Sequence, residues 1–136
     1  MRRVFVDTSA FLALLVVGDK NHSPAEVLFT IAERERWRLV TTNVIVVEGF
    51  ALFLHRARHG RDAALKFLDA VESDAYEVVR VRRDDELKAI ALVRAHQDKM
   101  SSLCDALRFV VMERLRIREA IAFDQDFRSY GQFAVV

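Results

Sequence analysis

Val4, Phe5 and Val6 run straight into Asp7, and Phe11, Leu14 and Leu15 then recur at helical spacing as far as Gly18. A short apolar strand that stops at a carboxylate and turns at once into a helix is a narrow specification. An ionised group at such a point must find donors, a proton or a bound cation. Three more acids interrupt apolar surroundings: Glu48 in Val-Ile-Val-Val-Glu-Gly-Phe, Asp105 in Leu-Cys-Asp-Ala-Leu, and Asp124 after Ile-Ala-Phe. If the four converge, they offer oxygen ligands, which suit a hard cation such as Mg²⁺ or Mn²⁺. Such an ion keeps several waters and often contacts a substrate phosphate, so the chain reads first as a metal-dependent phosphodiesterase.

The rest of the chain alternates in the same way. Ser23-Pro24-Ala25-Glu26 combines an N-cap, a proline at the first helical position and a capping-box glutamate, which predicts a helix to about Arg36. Leu39–Val40 form a short strand, and Thr42 or Asn43 caps a helix through Val47, Phe50 and Leu54 to about Arg58, although the valine run also suits a strand. Gly60 breaks that segment. Ala64, Phe67, Leu68 and Val71 share a helical face, Tyr76–Val81 alternates as a strand, and Asp84 caps a helix that ends near Gln97. Ser101 or Ser102 caps the next helix, in which Leu103, Leu107, Val110, Val111 and Leu115 supply the apolar face. Glu119–Phe123 and Phe133–Val136 close the chain as strands. The expected fold is α/β, a short mostly parallel sheet flanked by helices, with ligands at the carboxyl edge of the strands, where Asp7 and Asp124 fall.

At 136 residues and 52% apolar content the chain is expected to form one domain, residues 1–136, and no linker, repeat or low-complexity tract divides it. A formal charge of +1 from 21 basic and 20 acidic side chains neither demands nor excludes a nucleic-acid partner. Arginines cluster at Arg56, Arg58 and Arg61, at Arg80, Arg82 and Arg83, and at Arg114, Arg116 and Arg118; most such clusters are solvated helix ends. The single cysteine, Cys104, excludes an internal disulfide and a multi-thiolate zinc site and points to a reducing compartment. No stretch approaches the ~18 to 20 apolar residues of a membrane span. Asp7 cuts short any signal-like start after Arg2 and Arg3, so a cytoplasmic protein is expected.

Each acid has a dull explanation. Asp7 at a strand-to-helix turn can simply cap the helix; Asp105, three residues after Ser102, is favoured by the helix dipole; Asp124 and Asp126 can be turn formers. Glu48 lies beyond the first turn of its helix, where the dipole no longer helps, unless it faces water beside Gly49 and Ala51. The order and contexts of all four together are more telling than any one.

Taken together, Val-Phe-Val-Asp7-Thr8-Ser9-Ala10, Thr41-Thr42-Asn43-Val44-Ile45-Val46-Val47-Glu48, Ser102-Leu103-Cys104-Asp105-Ala106 and Ala122-Phe123-Asp124-Gln125-Asp126-Phe127, with Gly131 nearby, resemble the four acidic motifs of the PIN-domain ribonucleases. Within that family the chain is similar to the VapC-like toxins of toxin–antitoxin pairs, over essentially its full length. The resemblance implies a PIN-like fold and an endoribonuclease in which Asp7, Glu48, Asp105 and Asp124 hold one or two Mg²⁺ or Mn²⁺ ions. Asp126 would be an auxiliary or second-metal ligand, and Thr8, Ser9 and Ser102 would hold carboxylates or water. It further implies an RNA substrate cut by metal-activated water, a small antitoxin that covers the acids, and a homodimer. Val16, Val17, Leu28, Phe29, Phe53 and Leu54 supply ample apolar surface, most of it expected in the core. Two other readings compete: an aspartyl-phosphate phosphatase with Asp7 as nucleophile, opposed by Ser9 where a second aspartate is normal, and a non-catalytic RNA- or protein-binding module on the same fold.

Overall fold

A computed structural model describes residues 1–56, 59–96, 102–124 and 134–136. Val4, Phe5 and Val6 are fully buried because their strand, β1 (Arg3–Val6), is the central one of five. The sheet order is β3-β2-β1-β4-β5, with β2 at Arg38–Thr42, β3 at Tyr76–Val79, β4 at Glu119–Ile121 and β5 at Ala134–Val135. Every pairing is parallel, with Phe5 opposite both Val40 and Ala120, and Val6 opposite Ile121. Parallel strands need crossovers, and the helices α1 (Thr8–Leu15), α2 (His22–Arg34), α3 (Asn43–Arg56), α4 (Gly60–Glu72), α5 (Arg83–Ala95) and α6 (Leu103–Leu115) provide those that link β1 to β4 through β2 and β3. The chain runs outward from β1 through β2 to β3, then returns to β4 on the other side of β1. The order therefore reverses between β1 and β4, and a crevice opens at their carboxyl ends.

The core is aromatic where the helices meet. Phe67 of α4 lies 4.9 Å from Phe11 and 5.1 Å from Phe53, and Phe11 lies 5.2 Å from Tyr76 of β3, so three helices and an edge strand share one cluster. Gly49 belongs to this contact. A Cβ there would come within 2.7 Å of the Phe67 ring, so Gly49 is buried by close helix approach, which counts against the alternative that Glu48 faces water beside it. Of the apolar residues singled out as surplus, Phe53 is fully buried, Val16, Leu28 and Phe29 are half-buried, and Val17 and Leu54 are exposed.

Two helix starts, those of α2 and α5, differ from expectation in detail, and that of α3 falls on one of the two caps anticipated. α2 begins at His22, not after Ser23, because Asp19 receives the Asn21 N–H at 2.8 Å and turns the chain early; Glu26 then pairs with His22 at 3.3 Å in place of a capping box. Thr42 is the residue that caps α3, receiving the Ile45 N–H at 3.1 Å, while Asn43 accepts from Val81 N–H at 2.9 Å. The valine run is helix. Asp84 does not cap α5: Asp85 reaches back to the Arg82 N–H at 2.9 Å and is gripped by Arg114 Nε and Nη2, both at 2.9 Å.

That grip ties α5 to α6 and makes Arg114 a structural residue. Burial pushes the Asp85 carboxyl up, but the Arg114 hydrogen bonds and the Arg82 N–H outweigh it and hold the group below its ordinary value. A carboxyl lowered in the fold stabilises fully above its unfolded pKa of about 4 and loses that contribution as pH falls through the folded value. Asp85→Ala is expected to cost about 2 to 4 kcal/mol in urea melts at pH 7, since it strands a guanidinium. The gap to wild type should narrow below about pH 4.

Candidate active site

Asp7 is placed by β1 and α1 together. It caps α1, its Oδ2 accepting from Ser9 N–H at 3.3 Å and from Ser9 Oγ–H at 2.7 Å, and it is almost wholly buried. The capping explanation holds, yet it does not exhaust the residue: Oδ1 accepts from Arg108 Nη1 at 2.7 Å. Ser9 also accepts the Phe123 N–H at 2.9 Å, which fastens the segment after β4 to the start of α1. This capture ends β4 at Ile121, three residues before Asp124, where the sequence suggested a strand running directly into the acid.

Glu48 projects from α3 and is half-buried; Thr8 Oγ–H donates to its Oε1 at 2.8 Å. The Cys104 thiol of α6 also lies against it, and burial followed by the Glu48 charge and hydrogen bond pushes that thiol well above its ordinary pKa. Asp105 sits in the first turn of α6 with its N–H bonded to Ser102 Oγ at 3.1 Å, so Ser102 is the N-cap, while Ser101 lies outside the described residues. Asp105 Oδ1 is 3.5 Å from Arg108 Nη2, and Asp124 Oδ2 is 2.9 Å from Arg108 Nη1. Asp7, Thr8, Ser9, Glu48, Asp105, Arg108 and Asp124 line one cavity of about 300 Å³, with Leu12, Leu52 and the exposed Arg56 completing its wall. Asp126, Gln125, Phe127, Gly131 and Arg58 fall outside the described residues.

Sequence reasoning missed Arg108. Its side chain is 3% exposed amid a fully buried stretch from Ala106 to Met112. The signal was the one that exposed Glu48, a charge inside an apolar run, but it was applied only to acids. Burial opposes the guanidinium charge, and Asp7 and Asp124 more than restore it. For Asp7 burial dominates and lifts the carboxyl above its ordinary value; Asp124 adds to this, and Arg108 and Ser9 pull against it. Among the described residues the cavity wall carries four carboxyl groups and two guanidiniums, Arg108 buried and Arg56 exposed.

As a donor set, carboxylate and hydroxyl oxygens fit a hard divalent cation. Their present arrangement is another matter: among the described residues no three acids, histidines or cysteines are grouped to grasp an ion, and the point between Asp7 and Asp124 is taken by Arg108.

The PIN domain family model matches residues 4–132. The 23S rRNA-specific endonuclease VapC20 of Mycobacterium tuberculosis is 31% identical over 128 residues, covering 94% of each chain. Ribonuclease VapC26 of the same organism is 27% identical over 140 residues, with 98% of this chain and 99% of the relative covered. The crystal structure of VapC20, a sarcin-ricin loop cleaving toxin, superposes with a TM-score of 0.86 at 31% identity over 95% of both chains.

Proposed function

The chain belongs to the PIN-domain family, and on that premise we propose that it is a Mg²⁺- or Mn²⁺-dependent endoribonuclease acting as the toxin of a toxin–antitoxin pair. The observation that carries this reading is the convergence of Asp7, Glu48, Asp105 and Asp124, from four separate segments, on one cavity where the strand order reverses. These four would hold the cation, with Asp126 as a candidate fifth. When bound, the cation supplies Lewis-acid stabilisation of phosphate oxygens and a lowered pKa for water.

The protein's own residues supply orientation. Thr8 sets the Glu48 carboxylate, Ser9 fixes Asp7 and the approach to Asp124, and Ser102 sets the turn that presents Asp105. Arg56, exposed on the cavity wall, faces arriving phosphates with a positive charge. RNA is the substrate class, single strands or loops being the forms whose bases and phosphates reach an open groove. The exposed Val47 and Leu103, next in sequence to Glu48 and Cys104, offer a partner such as an antitoxin some apolar surface, and Val17 and Leu54 offer some to a homodimer. No helix among the described residues is long and apolar enough to cross a membrane.

An aspartyl-phosphate route is disfavoured, because position 9 carries Ser9 where such a nucleophile is normally followed by a second aspartate. Cleavage of ribosomal RNA, beginning with a hairpin of the sarcin-ricin type, tests the proposal directly. Activity should fall to background with EDTA and return with excess Mn²⁺. Undiminished cleavage in EDTA would exclude the metal, and intact RNA with metal present would exclude the nuclease.

A further inference from the structure

One guanidinium touches three of the four acids. Arg108 Nη1 bridges Asp7 Oδ1 at 2.7 Å and Asp124 Oδ2 at 2.9 Å, and Nη2 lies 3.5 Å from Asp105 Oδ1. Since Asp7 Oδ2 already receives two donors from Ser9, Oδ1 is the oxygen that Asp7 has to offer an ion, and it is the one that Arg108 holds. A divalent cation binds carboxylate oxygen at about 2.0 to 2.2 Å. A guanidinium on the same oxygens would then stand within a few ångströms of it, two positive centres in a water-poor pocket.

We propose that Arg108 is a resident cation of the site: it clamps Asp7 and Asp124 together in the metal-free protein and gives them up when the divalent ion enters. Arg108 sets a positive charge between Asp7 and Asp124, whose carboxyl groups it holds on one nitrogen, while Ser9 donates to Asp7 and Thr8 to Glu48, so the clamp keeps the crevice assembled. The same clamp weakens metal binding, because the ion must displace an existing partner. Loading therefore requires a metal concentration that the acids alone would not. This inference rests on the metal reading above and adds a competitor to it.

Two measurements test it. Arg108→Met, neutral and of similar length, should bind Mn²⁺ about 10-fold or more tightly than wild type by calorimetry, the change expected when a like charge leaves an ion site. In wild-type protein, the Arg108 side-chain N–H resonance, identified by its absence in Arg108→Lys, should lose protection from water exchange as Mg²⁺ is added, with the midpoint of metal binding. This second readout is taken on wild-type protein, the Arg108→Lys variant serving only for assignment, and it would not move if Arg108 were a fixed strut. Equal or weaker Mn²⁺ affinity in Arg108→Met, or an Arg108 that stays protected at saturating Mg²⁺, overturns the competition while leaving the metal site standing. Failure of wild type to bind either ion overturns both.

Discussion

Asp7→Asn is expected to lower RNA cleavage by on the order of 10³-fold while leaving the protein folded. The amide keeps an oxygen for the Ser9 donors, so the cap on α1 survives and the loss at that end is small. What disappears is the charge at the most buried of the four acids, at the centre of the strand crossover. Removing one partner of a buried ion pair commonly costs about 3 to 5 kcal/mol. Here Asp124 and Asp105 still face Arg108, so a smaller loss, about 1 to 3 kcal/mol, is expected in denaturant melts. Cleavage rates, with circular dichroism to confirm folding, check the result. A folded Asp7→Asn protein with near wild-type activity would remove Asp7 from the reaction and leave it a helix cap.

The second large effect is expected at Asp105. In Asp105→Asn the turn held by Ser102 Oγ and the Asp105 N–H is untouched, since the bond is to the backbone. Only the side-chain charge changes. Losing a favourable dipole contact at the helix start costs about 0.5 to 1 kcal/mol, and relief of repulsion in a cavity rich in carboxylates offsets part of it. Stability of the metal-free protein should thus stay within about 1 kcal/mol of wild type. Cleavage should drop by about 10²-fold or more, and stabilisation by Mn²⁺ should shrink because the folded state binds the ion less well. Melting curves with and without Mn²⁺, run beside a cleavage assay, separate this from a capping role. A destabilised but fully active variant would show that the Asp105 side chain serves only the start of α6 through the helix dipole.

Much of the architecture was legible because apolar spacing distinguishes a buried strand such as Val4–Val6 from a helix face such as Ala64, Phe67 and Val71. The acids stood out for the same reason. What was hidden depends on contacts between segments distant in sequence. The early start of α2 is set by Asp19, and the early end of β4 by Ser9, 114 residues away. Gly49 could have tolerated exposure, but Phe67 packs against it, and nothing local to either residue announces that meeting. Arg108 was concealed by convention: an arginine among Leu107, Phe109 and Val110 is commonly read as a side chain that snorkels to water. Its length instead lets it turn inward, toward carboxylates 101 and 16 residues away.

The reversal of strand order between β1 and β4 has a consequence for the timing of synthesis. A chain emerging N-terminus first carries Asp7 and Glu48 early, but Asp105, Arg108 and Asp124 arrive only with α6 and the segment after β4. Because β1 pairs in parallel with β4 across more than a hundred residues, no local hairpin can stand in for the missing half. A nascent chain of this design therefore lacks the assembled four-acid cavity until its final third has been translated, and a message broken before that point yields a fragment without it.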